Sequence, residues 1–331
     1  MTNKYDNVYL DTVATVVGPF EHEGPLSKRF DRSYKDLYMN EESFENAEIH
    51  LMKESIDILL DKINKKKEDI DLLVAGDLQN QITSACYAAL KYNIPFLGLY
   101  AACATNTEGI IVASNLIDSK KINNSIVSVS SHNMVSERQF RNPTEYGAPK
   151  PSSATFTATG GASCFLTNKK TNIKIEISTI GRVVDMNQND PNNMGANMAA
   201  AAVDTIYRHL TNLKREPSYY DLIVTGDLGM FGKEILIECM QKEYHMDLSK
   251  NYNDCGIMLY DTENQKEVQA GGSGPVCSAL VMYGDIIPKM KKKQLKRDLY
   301  VATGALFNPT LVFQKENILS IAHAVSLEVV E

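Results

Sequence analysis

The octapeptide Asp71-Leu72-Leu73-Val74-Ala75-Gly76-Asp77-Leu78 returns 150 residues later as Asp221-Leu222-Ile223-Val224-Thr225-Gly226-Asp227-Leu228, with six of eight positions identical. Each copy is a short apolar run closed by Gly-Asp and preceded by a segment of helical period, 45–65 in one case and 194–213 in the other. That pattern reads as a buried parallel strand fed by a helix. A second echo, 12–17 against 179–184, has an offset of 167 and so implies about 17 additional residues in the first half. The Gly-, Pro- and charge-rich stretch 18–43 is where they fall. A chain duplicated in this way must build two similar α/β halves.

Each half continues with alternating signals. The first reads as helix 81–92, strand 94–100, helix 104–120 and strand 125–131; the second as helices 232–243 and 277–290 with strands 299–304, 310–314 and 318–328. Alternation calls for helices covering sheets, and duplication for two sheets that share helices between them. The expected division is 1–170 and 171–331, with insertions at 18–43 and 133–158. The second insertion has little periodicity, and so long a structureless stretch in a compact fold is usually functional. Asp77 and Asp227, ending the repeated strands, read as strand-end caps.

Composition narrows the function. With 44% apolar and 23% charged residues the chain has the make-up of a soluble globular protein. Its net charge of −7 gives no electrostatic reason to expect nucleic acid as a partner. The amino terminus lacks the apolar core of a signal peptide, and no window reaches the roughly 18–20 apolar residues of a membrane span. Membrane association is therefore expected to be peripheral, on the cytosolic side, or through partners. The six cysteines form no CxxC pair, and Cys86, Cys164, Cys239 and Cys277 lie among apolar or small residues. They read as reduced core residues, without disulfide or zinc. The scattered histidines form no metal cluster.

Leu99-Tyr100-Ala101-Ala102-Cys103-Ala104-Thr105 puts a cysteine where an apolar strand gives way to a helix. A thiol at a helix N-terminus is favoured as thiolate, which suits a nucleophile, and the same geometry also holds anions.

The duplicated halves and the Ala-Ala-Cys turn resemble the thiolase and ketoacyl-synthase superfamily, which implies a duplicated five-layered αβαβα fold. Within it the chain is similar to the stage V sporulation protein AD family. The motifs are Val16-Val17-Gly18-Pro19, Glu23-Gly24-Pro25-Leu26, Asn80-Gln81-Ile82-Thr83, Ser131-His132-Asn133, Gln139-Phe140-Arg141, Pro143-Thr144-Glu145-Tyr146-Gly147, Lys150-Pro151 and His323-Ala324-Val325. The resemblance implies binding of dipicolinic acid, pyridine-2,6-dicarboxylate, for its movement into the developing spore and its release in germination. It implies membrane-bound spore subunits as partners, a homodimer, and no cofactor. Condensing enzymes of the superfamily carry a histidine after the strand matching 221–225 and a second partner in a Gly-rich segment. Here those places read Gly226-Asp227-Leu228-Gly229 and Gly271-Gly272-Ser273-Gly274, so no catalytic residue is expected although Cys103 keeps the nucleophile's position. The expected ligand contacts are Cys103, His132, Asn133, Arg138, Arg141, Tyr146 and Lys150. Arginine suits carboxylates because it binds them bidentately, and Tyr146 and Phe140 offer flat faces. The competing expectation is an acyl-CoA acyltransferase with Cys103 as nucleophile and His132 or His323 as base.

Overall fold

The computed structural model describes residues 1–140 and 149–331. The first half runs β1 (Tyr9–Val17), α1 (Phe44–Ile63), β2 (Leu73–Gly76), α2 (Thr83–Tyr92), β3 (Phe96–Gly98), α3 (Thr105–Asp118), β4 (Asn124–Ser131), α4 (Asn133–Phe140) and β5 (Gly160–Thr167). The second runs β6 (Ile173–Thr179), α5 (Met194–Leu213), β7 (Leu222–Thr225), α6 (Gly229–Tyr244), β8 (Tyr252–Asp254), α7 (Pro275–Val281), α8 (Ile287–Lys291), β9 (Arg297–Leu306), α9 (Pro309–Phe313) and β10 (Leu319–Val329). The repeat surfaces as a mirrored strand order. One half is β3-β2-β4-β5-β1 and the other β6-β10-β9-β7-β8, joined where Tyr9 and Leu10 of β1 pair antiparallel with Lys174 and Ile173 of β6.

Local chemistry explains the long helices. Ser43 caps α1 by accepting from the Asn46 N–H at 3.2 Å, and Asn64 closes it in the left-handed conformation at φ +49°. Ala47, Leu51, Ile56 and Leu59 give α1 the apolar stripe that lies on β1, β4 and β5. Helix α5 covers β9 and β10 in the same manner, with α6 beside it. Between the sheets lie α3 and α7. Helix α3 touches β2 and β4 of its own half and β9 and β10 of the other, while α7 crosses to β4 and β5. Outer helices, sheet, shared helices, sheet and outer helices make five layers, as expected.

Several expectations are corrected. The sheet register aligns Thr12 with Ile177 and Ala14 with Thr179, an offset of 165 rather than 167. Helices α1 and α5 remain 150 apart, so the first half carries 15 residues more, not 17. The echoed segments are displaced by two residues, which conserves the side-chain face and therefore the apolar pattern. Each opening strand also skips one residue in its ladder, Asp11 in β1 and Glu176 in β6. Segment 310–314 is helix α9 rather than strand, because Asn308 accepts from the Leu311 N–H at 3.1 Å ahead of Pro309 at the first helical position. The helix expected over 277–290 widens into a π turn at Met282–Ile286, just before Pro288, which has no N–H to donate. Strand β5 escaped notice because it opens Gly160-Gly161; a Cβ on Gly161 would stand 2.2 Å from the Leu51 carbonyl oxygen, so glycine lets α1 lie close. Of the cysteines, Cys164, Cys255 and Cys277 are buried, whereas Cys86 is exposed and Cys239 half-buried.

The halves also meet at Gly304 of β9. A Cβ there would lie 2.3 Å from the Ala101 carbonyl oxygen and 3.1 Å from the Ala104 nitrogen, both in the turn that carries Cys103. Gly304→Ala should therefore cost about 1–3 kcal/mol, read as a lowered urea midpoint with an unchanged m-value.

Candidate functional site

Beyond β3 the chain passes Leu99 and Tyr100 and turns at Ala102, which adopts a left-handed φ of +49°. That conformation costs a residue with a Cβ roughly 1–2 kcal/mol. Thr105 holds it: its hydroxyl accepts from the Ala101 N–H at 3.0 Å and donates to the Ala102 carbonyl at 2.7 Å. Helix α3 starts at Thr105, directly after Cys103 and Ala104. One residue on, Asn106 donates to the Tyr300 hydroxyl at 3.0 Å and accepts from the Tyr283 hydroxyl at 3.0 Å. Tyr300 also pairs with Ser278 at 2.6 Å. This buried network pins the cysteine's helix to the second half.

Cys103 lines a cavity of about 40 Å³ together with Ser136 of α4, Thr157, Asp227 and Ser273, against Leu78, Met194 and Met198. Tyr100, Phe140 and Phe307 line this cavity and also an outer cleft of about 730 Å³, whose wall includes Gln79, Gln81, Gln139 and Asn308. The Phe140 and Phe307 rings stand 5.9 Å apart, tilted by 56°. The buried Ser136 hydroxyl has no hydrogen-bond partner among the described residues. No arginine, lysine or histidine lines the cavity among the described residues, and no group of side chains there is arranged to hold a metal ion.

The two repeated aspartates have diverged. Asp77 caps α2, accepting from the Gln79 and Ala85 N–H groups at 2.8 Å each. Asp227 does not cap its helix. That task falls to Asp254, which accepts from the N–H groups of Leu228 at 2.9 Å and Gly229 at 3.0 Å. Freed of it, Asp227 takes hydrogen bonds from the Thr303 hydroxyl at 2.6 Å and the Gly274 N–H at 3.2 Å, with the Cys103 thiol beside them. Burial dominates these bonds and pushes its carboxyl up to about 7. The cap expected of Asp227 is thus corrected.

The other expected contacts lie elsewhere. His132 is fully buried beneath Phe44, with Nδ1 accepting from the Met134 N–H at 3.2 Å and Nε2 at 2.8 Å from the Leu37 carbonyl. Since Nδ1 accepts, Nε2 carries the proton. The Asn133 N–H donates to Thr159 Oγ1 at 3.0 Å, and its buried Nδ2 is unpartnered among the described residues; it does not line the cavity. Arg138 stands 3.5 Å from Glu45 and over the Phe44 ring. Lys150 pairs at 2.6 Å with the buried Glu137. His132, Asn133, Arg138 and Lys150 therefore lie on or beside α4 without lining the cavity of Cys103; Arg141 and Tyr146 lie outside the described residues. His323 also avoids the cavity, its Nδ1 accepting from the Gly181 N–H at 3.0 Å.

What residue-by-residue reading missed was Ser136, Asp227, Thr157, Ser273 and the ring pair Tyr100 and Phe307. The signal for Asp227 was present: its helix is followed by a second acid, Asp254, able to take over the cap.

The stage V sporulation protein AD (SpoVAD) family model matches residues 2–328. The chain is 43% identical over 321 residues to stage V sporulation protein AD of Bacillus subtilis, covering 97% of this chain and 94% of that one. Among solved structures it is similar to a single-site variant of OleA from Xanthomonas campestris, with a TM-score of 0.61 at 12% identity over 98% of this chain and 99% of that one. It is also similar to 3-oxoacyl-(acyl-carrier-protein) synthase III from Aquifex aeolicus, with a TM-score of 0.58 at 12% identity over 97% and 99% of the two chains. At that identity the structures speak for a thiolase-like fold alone.

Burial lowers the His132 imidazole to about 4. The unfolded chain therefore binds its proton more readily, and stability from the neutral ring, complete above about 6.5, is lost as pH falls towards 4. Nitrogen-15 NMR should find His132 in the Nε2–H form, with no titration above about pH 5.

Proposed function

The chain belongs to the stage V sporulation protein AD family, and from that premise we propose that it binds dipicolinic acid without chemistry, as a subunit of a membrane-associated spore assembly that takes the compound up and releases it in germination. One observation carries the choice of site: a buried hydroxyl without a partner among the described residues, Ser136, faces the same cavity as Cys103 and Asp227, behind the rings Tyr100, Phe140 and Phe307. An unsatisfied buried donor costs about 1–3 kcal/mol, which a ligand oxygen removes. The rings offer a planar heterocycle its face, and the amides of Gln81, Gln139 and Asn308 give the outer cleft neutral donors.

The acyltransferase reading fares worse. Cys103 would need a base, yet His132 and His323 are both lowered to about 4 and spend Nδ1 on a backbone N–H. No cation lines either opening among the described residues to receive a coenzyme A phosphate. No helix among the described residues is long and apolar enough to cross a membrane, so attachment to the inner spore membrane falls to partner subunits.

We further propose a homodimer through the outer edge of β3 and the neighbouring face of α2. Strand β3 ends the sheet, and Tyr87, Leu90 and Leu97 are 55%, 76% and 41% exposed there. Leu90→Asp should convert a dimer into a monomer by light scattering; a wild-type monomer would refute this.

Calorimetric titration with dipicolinate, using benzoate and acetyl-CoA as controls, tests the site. Saturable binding is expected, weakened roughly three- to tenfold by Cys103→Ala or Ser136→Ala. Acylation of Cys103 by acetyl-CoA, with no heat from dipicolinate, would restore the enzyme.

A further inference from the structure

Asp227 presents a difficulty for any anionic ligand. The residue is 1% exposed and lines the cavity, and among the described residues its oxygens are met by neutral groups: the Thr303 hydroxyl and the Gly274 N–H, with the Cys103 thiol beside them. Among the described residues, the titratable groups around it add no positive charge. Asp254 approaches from the end of β8, Cys255 follows it, and Cys277 comes from α7. A second carboxylate brought beside an ionised Asp227 would be repelled in surroundings that water does not screen. A protonated Asp227 reverses the interaction, because its hydroxyl donates to the incoming carboxylate.

We propose that Asp227 is a ligand-binding residue that meets one carboxylate of the bound dianion as a neutral carboxylic acid, so that binding to the protein with Asp227 ionised takes up one proton from solvent. This holds if the cavity is the dicarboxylate site proposed above. The atoms balance simply: a buffer acid gives up one proton, one O–H bond forms on Asp227, and that hydrogen is shared with a ligand oxygen. Ser136 supplies a second neutral donor from the opposite element, α4. Both hydroxyls can donate to a ligand carboxylate, which is an acceptor only.

The sign of the pH dependence follows. Asp227 in the free protein, pushed up to about 7, is ionised above that value, whereas in the complex it holds its proton. Affinity is complete below about pH 7 and falls about tenfold for each further pH unit.

Calorimetry with dipicolinate in two buffers of different ionisation enthalpy measures the proton directly. Uptake close to one per ligand is expected at about pH 8, declining to near zero by about pH 6. Asp227→Asn should abolish the uptake and flatten the pH profile. Cys103→Ala should keep the uptake in the weaker binding that remains, which separates the carboxyl from the thiol as the proton's destination. Wild-type binding with no dependence on buffer would overturn this assignment and leave the binding reading standing. No binding of dipicolinate at about pH 6 would overturn both.

Discussion

Everything at this site hangs from a helix buried on two sides. Helix α3 lies between the two half-sheets, and its fixed rotation about its own axis decides where Cys103 emerges. Apolar packing alone would tolerate several rotations. The Asn106 amide does not, because its donor reaches Tyr300 on β9 and its acceptor takes the Tyr283 hydroxyl from the π turn after α7. A buried polar network satisfied at both ends has one geometry and heavy losses in any other. Gly304 then sets the depth of the turn by letting β9 touch its backbone.

The architecture was legible because it is local and repeated. Helices α1 and α5 carry their stripes within twenty residues each, and the Gly-Asp strand announces itself twice. Reading failed where a single residue changed the rule, as at Pro309 and Pro288, or where glycines hid a strand, as in β5. The site was legible at Cys103, whose position is a property of one turn, and at the Phe140 ring. His132, Arg138 and Lys150 have the right chemistry for a dicarboxylate, but sequence conveys no direction, and each is turned to its own partner: Leu37, Glu45 and Glu137. Ser136 sits in a segment whose period gave no face to read.

The second-half aspartate failed to be read for the opposite reason, too much similarity. Asp77 and Asp227 both stand in a Gly-Asp-Leu that closes the repeat, and like motifs invite like roles. Their partners are what differ, and those arrive from far along the chain: Thr303 is 76 residues beyond Asp227 and Gly274 is 47. A duplicated fold keeps two copies of a strand end. Only one needs to start a helix in the old way once Asp254 is available to start the other.

The Asn106–Tyr300 hydrogen bond also spans 194 residues of chain. A ribosome extending at about 5–20 residues per second needs roughly 10–40 seconds to bridge that gap. Throughout it, α3 has been synthesised but one of its two faces has no sheet to lie on. The first half therefore leaves the exit tunnel with its central helix half-dressed, exposing apolar surface beside an unanswered amide. Cells that make this protein must shelter that surface or outpace its aggregation, and a truncated first half should be a natural client for a chaperone.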